Sequence, residues 1–162
     1  MVERAKSLGH TRALVIGGNP WYSNALEQKR SLEWAASETG LDLAWRLEGN
    51  YSLRQSRQVL ETFLTSNPWP SLIICANDRS AAGVYQVMHA KGVSPERVSV
   101  VGYDDEEITR LLWPPLASIR QPRAEAATLA VAHLIKRIEG ERSTLAELLP
   151  TTFCDRPSLG PY

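Results

Sequence analysis

The sequence predicts an α/β fold, a doubly wound parallel sheet with helices on both faces. Three observations lead there. Short, almost wholly apolar runs alternate with stretches of helical periodicity about 10–15 residues long, the pattern of strands joined by crossover helices. Turn or capping residues stand at nearly every junction between the two. The chain has 162 residues, the size of one domain able to bury a core without disulfides or metals.

The elements follow in order. Arg12 to Ile16 is a compact apolar run closed by Gly17-Gly18-Asn19-Pro20, a buried strand ending in a turn. From Ser23 to Thr39 the apolar residues Ala25, Leu26, Leu32, Ala35 and Ala36 share a helical face, and Gly40 supplies the stop. Leu41 to Glu48 alternates apolar with polar, the signature of a half-buried strand. Ser52 followed by Gln55 is a capping box, and Val59, Leu60, Phe63 and Leu64 give the helix behind it an apolar face. Asn67-Pro68-Trp69-Pro70 breaks that helix. A strand at 71–76 is followed by Asp78 as a candidate helix cap and a helix over 81–91, stopped by Gly92. Another strand at 98–103 leads to the loop Trp113-Pro114-Pro115, a short segment at 117–120, and a helix opening at Pro122 and ending at Gly140. Residues 145–153 are expected to form a last strand.

Composition excludes several classes. The 18 Lys and Arg balance 18 Asp and Glu, so the excess of cations that neutralises phosphates is missing. Apolar residues make up 43% and charged ones 22%, as in ordinary globular proteins. No window approaches the roughly 18 apolar residues that span a bilayer, and the first residues, Met1 to Ser7, carry no apolar signal core. A cytoplasmic protein without membrane partners is expected. Cys75 and Cys154 lie far apart, with no zinc-ligand spacing, and read as buried thiols in a reducing compartment. No cofactor is implied.

In open α/β sheets ligands bind outside the carboxyl ends of the strands. The successive strands end at Gly17-Gly18-Asn19 with Tyr22 beyond, at Gly49-Asn50-Tyr51, at Asn77-Asp78 and at Tyr103-Asp104-Asp105. Amides, carboxylates and aromatic rings thus gather at one edge, a set suited to hydroxyls and to the face of a sugar or base. The same residue types are ordinary turn formers, so on residue type alone the two readings stand level. Ile16-Gly17-Gly18-Asn19 lacks the dinucleotide pattern GxGxxG. Asp104 to Glu107 reads as a partly solvated acidic loop rather than a metal site. His10, His89 and His133 stand alone in the sequence, which argues against a nucleophilic triad. The five tryptophans are scattered rather than arranged as a stacking platform.

Cys75 to Gly83, Gly92 to Asp105, Pro114-Pro115-Leu116, Ser118 to Pro122 and Leu8 to Arg12, in this order and spacing, resemble the LacI/GalR family of bacterial transcriptional regulators. The resemblance runs from about residue 8 to residue 157. It implies a core like that of periplasmic sugar-binding proteins, of which this chain matches the second half. Residues 1–117 would form the C-terminal lobe, 118–140 the segment crossing to the other lobe, and 141–162 the return strand and tail. Family members read operator DNA through an N-terminal head that this stretch does not include, and they act as allosteric binders rather than enzymes.

By position, the resemblance places Asn77 and Asp104 on effector hydroxyls or ring nitrogens, Tyr51 as a stacking ring, Gln121 at the crossover facing the cleft, and Tyr22 at a variable pocket position. Where the family usually has an arginine this chain has Gln28, with Ser31 and Leu32 replacing the Gly and aromatic that follow. That loss of a fixed bidentate cation favours a neutral sugar, polyol or nucleoside. The rival is a sugar receptor of a transport system, which shares the core fold. With its natural cover absent, the helix from Pro122 to Gly140 would expose Leu129, Ala132 and Ile135. Self-association as a homodimer, with segment exchange as one route, is therefore expected.

Overall fold

The computed structural model of the chain describes residues 1–141 and 148–162. Six strands form one sheet: β1 (Arg12–Gly17), β2 (Asp42–Glu48), β3 (Leu72–Cys75), β4 (Ser99–Asp104), β5 (Ala117–Arg120) and β6 (Thr152–Cys154). Their order is β2-β1-β3-β4-β5-β6. The helices are α1 (Val2–Ser7), α2 (Ser23–Thr39), α3 (Leu53–Phe63), α4 (Asp78–Ala90), α5 (Ile108–Leu111) and α6 (Arg123–Ile138).

Period-two alternation along the inner strands feeds two cores. Leu14, Ile16, Ile73, Cys75 and Val100 pack with Leu60 and Phe63 of α3 and with Val84, Val87 and Met88 of α4. On the opposite face Ala13, Leu72, Ile74, Val101 and Ala117 pack with Val2, Ala5, Ala36 and Leu159. Residues zero to a few per cent exposed on both faces of β1 and β3 explain why those strands read as continuous apolar runs.

Several expectations are corrected. β1 to β5 pair in parallel, but β6 runs antiparallel to β5, with Thr152 opposite Arg120 and Cys154 opposite Ser118. The reason lies in α6. No residue of α6 is buried, so it does not pack on the sheet as a crossover, and the chain re-enters at the edge where it left. β6 is also shorter than predicted; residues 145–147 of that expectation lie outside the described residues. α1 and α5 were too short to show a periodicity. Cys154 is half-buried rather than buried, although both thiols are free.

Capping differs as well. Ser52 Oγ accepts from the Gln55 N–H at 3.4 Å, but the Gln55 amide turns instead to the Glu48 carbonyl. The Ser52 N–H that would complete the box is already bonded to Gly49 O. α4 begins three residues earlier than expected, and its cap is Asn77, whose Oδ1 accepts from the Ser80 N–H at 2.9 Å. Asp78 is not the cap; it is wholly buried.

The tail crosses the amino ends of the strands. Ser158 Oγ accepts from the Ala117 N–H and donates to Val100 O. His10 bonds Ser71 Oγ and Gly160 O and stacks on Tyr162. His10 therefore has partners, but it clamps the tail at the sheet edge opposite the residues described next. No helix among the described residues is long and apolar enough to cross a membrane.

Candidate functional site

A cavity of about 970 Å³ opens at the carboxyl edge of the sheet and runs back beneath α2. Its rim carries Gln28, Tyr51, Asn77, Tyr103, Asp104 and Gln121, and its floor includes Val15 and Ile74. That volume suits a small molecule, and an apolar floor under a few convergent polar groups is how such sites fix orientation.

Each rim residue is held by its own element. Tyr51 sits in the β2–α3 turn, where Asn50 and Tyr51 take positive φ of 51° and 56°. Its ring lies against Gly18; any Cβ there would run into it, so only glycine permits the approach. The Tyr51 hydroxyl donates to Gln28 Oε1 at 3.1 Å, while the Gln28 amide donates to Ala76 O at 3.2 Å. Asn77 donates to Tyr51 O at 3.3 Å, tying the ends of β2 and β3 together.

Asp104 ends β4 with φ 109°, and Asp105 follows with φ 53°. Asp104 Oδ1 accepts from Gln121 at 2.6 Å and from Arg123 at 3.0 Å. Among the described residues its Oδ2 has no hydrogen-bond partner, so it keeps acceptor capacity for a ligand hydroxyl. Burial, and then the charge of Asp104, raise both the Tyr51 and the Tyr103 hydroxyl pKa, keeping these hydroxyls protonated donors.

Behind the rim the acidic run is partly solvated, as expected, with Glu107 exposed, but one of its carboxylates is buried. The Asp105 side chain is 1% exposed and bonds Arg156 at 2.6 Å and Arg120 at 2.7 Å. Burial pushes its pKa up, but the hydrogen bonds from Arg156 and Arg120 outweigh it and hold the carboxyl below its ordinary value. These two arginines, 15 and 51 residues away, could not be read as its partners beforehand. Asp78 lies one layer deeper. Its Oδ1 accepts from Ser118 Oγ at 2.6 Å and its Oδ2 from the Glu106 N–H at 2.7 Å. A Cβ on Gly102 would strike this carboxylate.

Burial raises the Asp78 pKa from 3.8 to about 6. Folded Asp78 therefore holds its proton through a window in which the unfolded chain has released it. Its contribution to stability is full below 3.8 and is lost as pH rises through about 6. Asp105 acts oppositely and lower: its stabilisation is lost as pH falls below its ordinary range. Asp78→Asn is expected to gain on the wild type in urea midpoint as pH rises from about 4 to about 7. A constant gap between the two curves would mean that Asp78 titrates normally.

Of the predicted site residues, Gln28, Tyr51, Asn77, Asp104 and Gln121 meet around the cavity. Tyr22 does not line it; the residue is 55% exposed at the cap position of α2. Arg123 was missed. Its proximity to Gln121 in sequence was the available signal, but whether α6 turns it toward Asp104 depends on the hinge geometry. Arg46 and Glu48, also missed, reach the cavity from the end of β2.

Fold and site together define an α/β lobe with a cavity of small-molecule size at the carboxyl edge of its sheet. The profile of the periplasmic binding protein-like domain matches residues 2–159, and the chain belongs to that family. It is 32% identical over 149 residues to a ribose operon repressor of Haemophilus influenzae, covering 90% of this chain and 45% of the relative. It is 28% identical over 147 residues to the HTH-type transcriptional repressor PurR of Histophilus somni, covering 88% and 44%. A solved dimeric Lac repressor with an 11-residue C-terminal deletion superimposes with a TM-score of 0.93 at 25% identity, over 99% of this chain and 60% of that one. The chain thus matches the core domain of LacI-family repressors and spans about half the length of the curated relatives.

Proposed function

We propose that the chain is the effector-binding part of a LacI-type transcriptional regulator, with a neutral sugar, polyol or nucleoside as its ligand. The observation that carries this is Asp104, held on one oxygen by Gln121 and Arg123 and unengaged on the other, at the rim shared with Tyr51, Asn77 and Gln28. The rim offers carboxylate, amide and ring, groups that hold hydroxyls and ring faces, and the relatives' repressor names support a binding role. The repressor names of its relatives favour a regulator over a transport receptor.

The bonds from Gln121 and Arg123 tie the ligand site to the segment entering α6. A ligand hydroxyl competing for Asp104 alters that hold, and any coupling to DNA equals the ligand's differential affinity for the two arrangements. In this reading residues 1–117 are one lobe, 118–140 the crossing segment and 141–162 the return and tail. Operator DNA is contacted through a separate head, in the cytoplasm. Val131, Leu134, Ile135 and Ile138 of α6 are each at least half exposed, and cover from a second copy of the chain, by homodimerisation or segment exchange, removes that apolar area from water.

Calorimetric titration with ribose, adenosine and ribose 5-phosphate tests the ligand class. The neutral ligands are expected to bind, with the phosphorylated one weaker by about tenfold or more, because Gln28 offers no cation to a phosphate and the side-chain cations that reach the cavity, Lys29 and Arg46, are engaged by Glu33. Tighter binding of the phosphate, or no binding by any of the three, would overturn the reading.

A further inference from the structure

Gln28 stands among the ligand contacts by its position in the chain, yet both ends of its side chain are bonded to the protein. Oε1 accepts from the Tyr51 hydroxyl at 3.1 Å and Nε2 donates to Ala76 O at 3.2 Å. The second partner fixes which end of the amide is which, because a carbonyl oxygen only accepts. Turning the amide toward a ligand would break both bonds and strand the half-buried Ala76 carbonyl. Tyr51 needs such an anchor. Its backbone is set by the β2–α3 turn, at φ 56°, and its carbonyl accepts from Asn77 at 3.3 Å. Neither constraint fixes the two torsions that carry the ring. The hydroxyl end of the ring lies where a Cβ on Gly18 would stand, so glycine admits the ring without gripping it. The bond to Gln28 is what holds the phenol there. Gln28 projects from α2, of which only Ala25 and Ala36 are buried, so the same two bonds tie that helix to the ends of β2 and β3.

We infer that Gln28 is a positioning residue: it locks the Tyr51 ring against Gly18 as a preformed platform and makes no contact with the ligand itself. The inference rests on the effector-site reading above and deepens it. A ring already in place leaves little ordering to oppose stacking, so the bond raises affinity from behind the platform. Its effect on the ligand therefore passes through the Tyr51 hydroxyl, and disappears when that hydroxyl is absent.

Gln28→Met keeps the length of the side chain and removes both bonds. Because methionine is a good helix former and the site is only half-buried, the variant should unfold near the wild-type midpoint. Tyrosine-ring NMR on the ligand-free chain reads the platform directly, with Tyr51→Phe assigning the Tyr51 signal among the five tyrosines. In Gln28→Met that signal should move toward the position of an exposed tyrosine while the other four stay. Calorimetry with ribose and adenosine then completes a double-mutant cycle. Gln28→Met is expected to weaken the binding of either probe by about fivefold in the wild type and by less than about twofold in Tyr51→Phe. An unmoved Tyr51 signal would overturn the inference, as would unchanged affinity in Gln28→Met. So would an equal loss in both backgrounds, the result that direct contact between Gln28 and the ligand produces. If neither probe binds the wild type, the effector reading falls, and the Tyr51 signal alone decides whether Gln28 holds the ring.

Discussion

Asp105→Ala is expected to destabilise the fold by about 3–5 kcal/mol, the cost of leaving a buried partner charge uncompensated. Arg156 is the charge at issue. Its side chain is 15% exposed, whereas Arg120 and Arg110 are 52% and 56% exposed and can turn to water. Without Asp105, Arg156 retains the Leu116 carbonyl at 2.7 Å, which satisfies one N–H and no charge. The position also has φ 53°, which alanine tolerates poorly and asparagine well. Asp105→Asn therefore separates the two causes. Urea denaturation should place the asparagine variant between wild type and alanine. A loss below about 1 kcal/mol in the alanine variant would mean that Arg156 finds another acceptor.

Asp104→Asn is expected to weaken ligand binding by roughly 10- to 100-fold, the range of a hydrogen bond to a charged acceptor. Asparagine keeps the volume, and it tolerates positive φ, so the turn at the end of β4 should persist. It replaces one of the two carboxylate oxygens with a donor, which either opposes the Gln121 amide or removes the free acceptor. Calorimetry on the variant, alongside its unfolding midpoint, reads the effect. Unchanged affinity in a folded variant would remove Asp104 from the site, and with it the proposed link to Arg123 and α6.

How far this could be read from residues alone depends on the range over which each decision is made. The apolar runs of β1, β3 and β4 and the helical faces of α3 and α4 are local patterns, and the structure follows them closely because burial on both sheet faces demands them. Gathering Gln28, Tyr51, Asn77, Asp104 and Gln121 at one edge follows almost from topology, since parallel strands all end on the same side. The direction of β6 was not legible, because it turns on whether α6 packs against the sheet, and the amphipathic pattern of α6 does not say against what.

Polar partnerships were legible least. Asp78 looked like a helix cap and Asp105 like a loop carboxylate, because turn composition is shared by solvated and buried acids. Their true partners, Ser118, Arg120 and Arg156, arrive from elements far along the chain. The sequence by itself determined the layered sheet, its apolar faces and the edge where polar groups collect, since these depend on local periodicity and on the handedness of the chain. Only the tertiary structure decided which carboxylate is neutralised and which is left with an open oxygen, because charge pairing is a long-range choice made after the chain has been brought together.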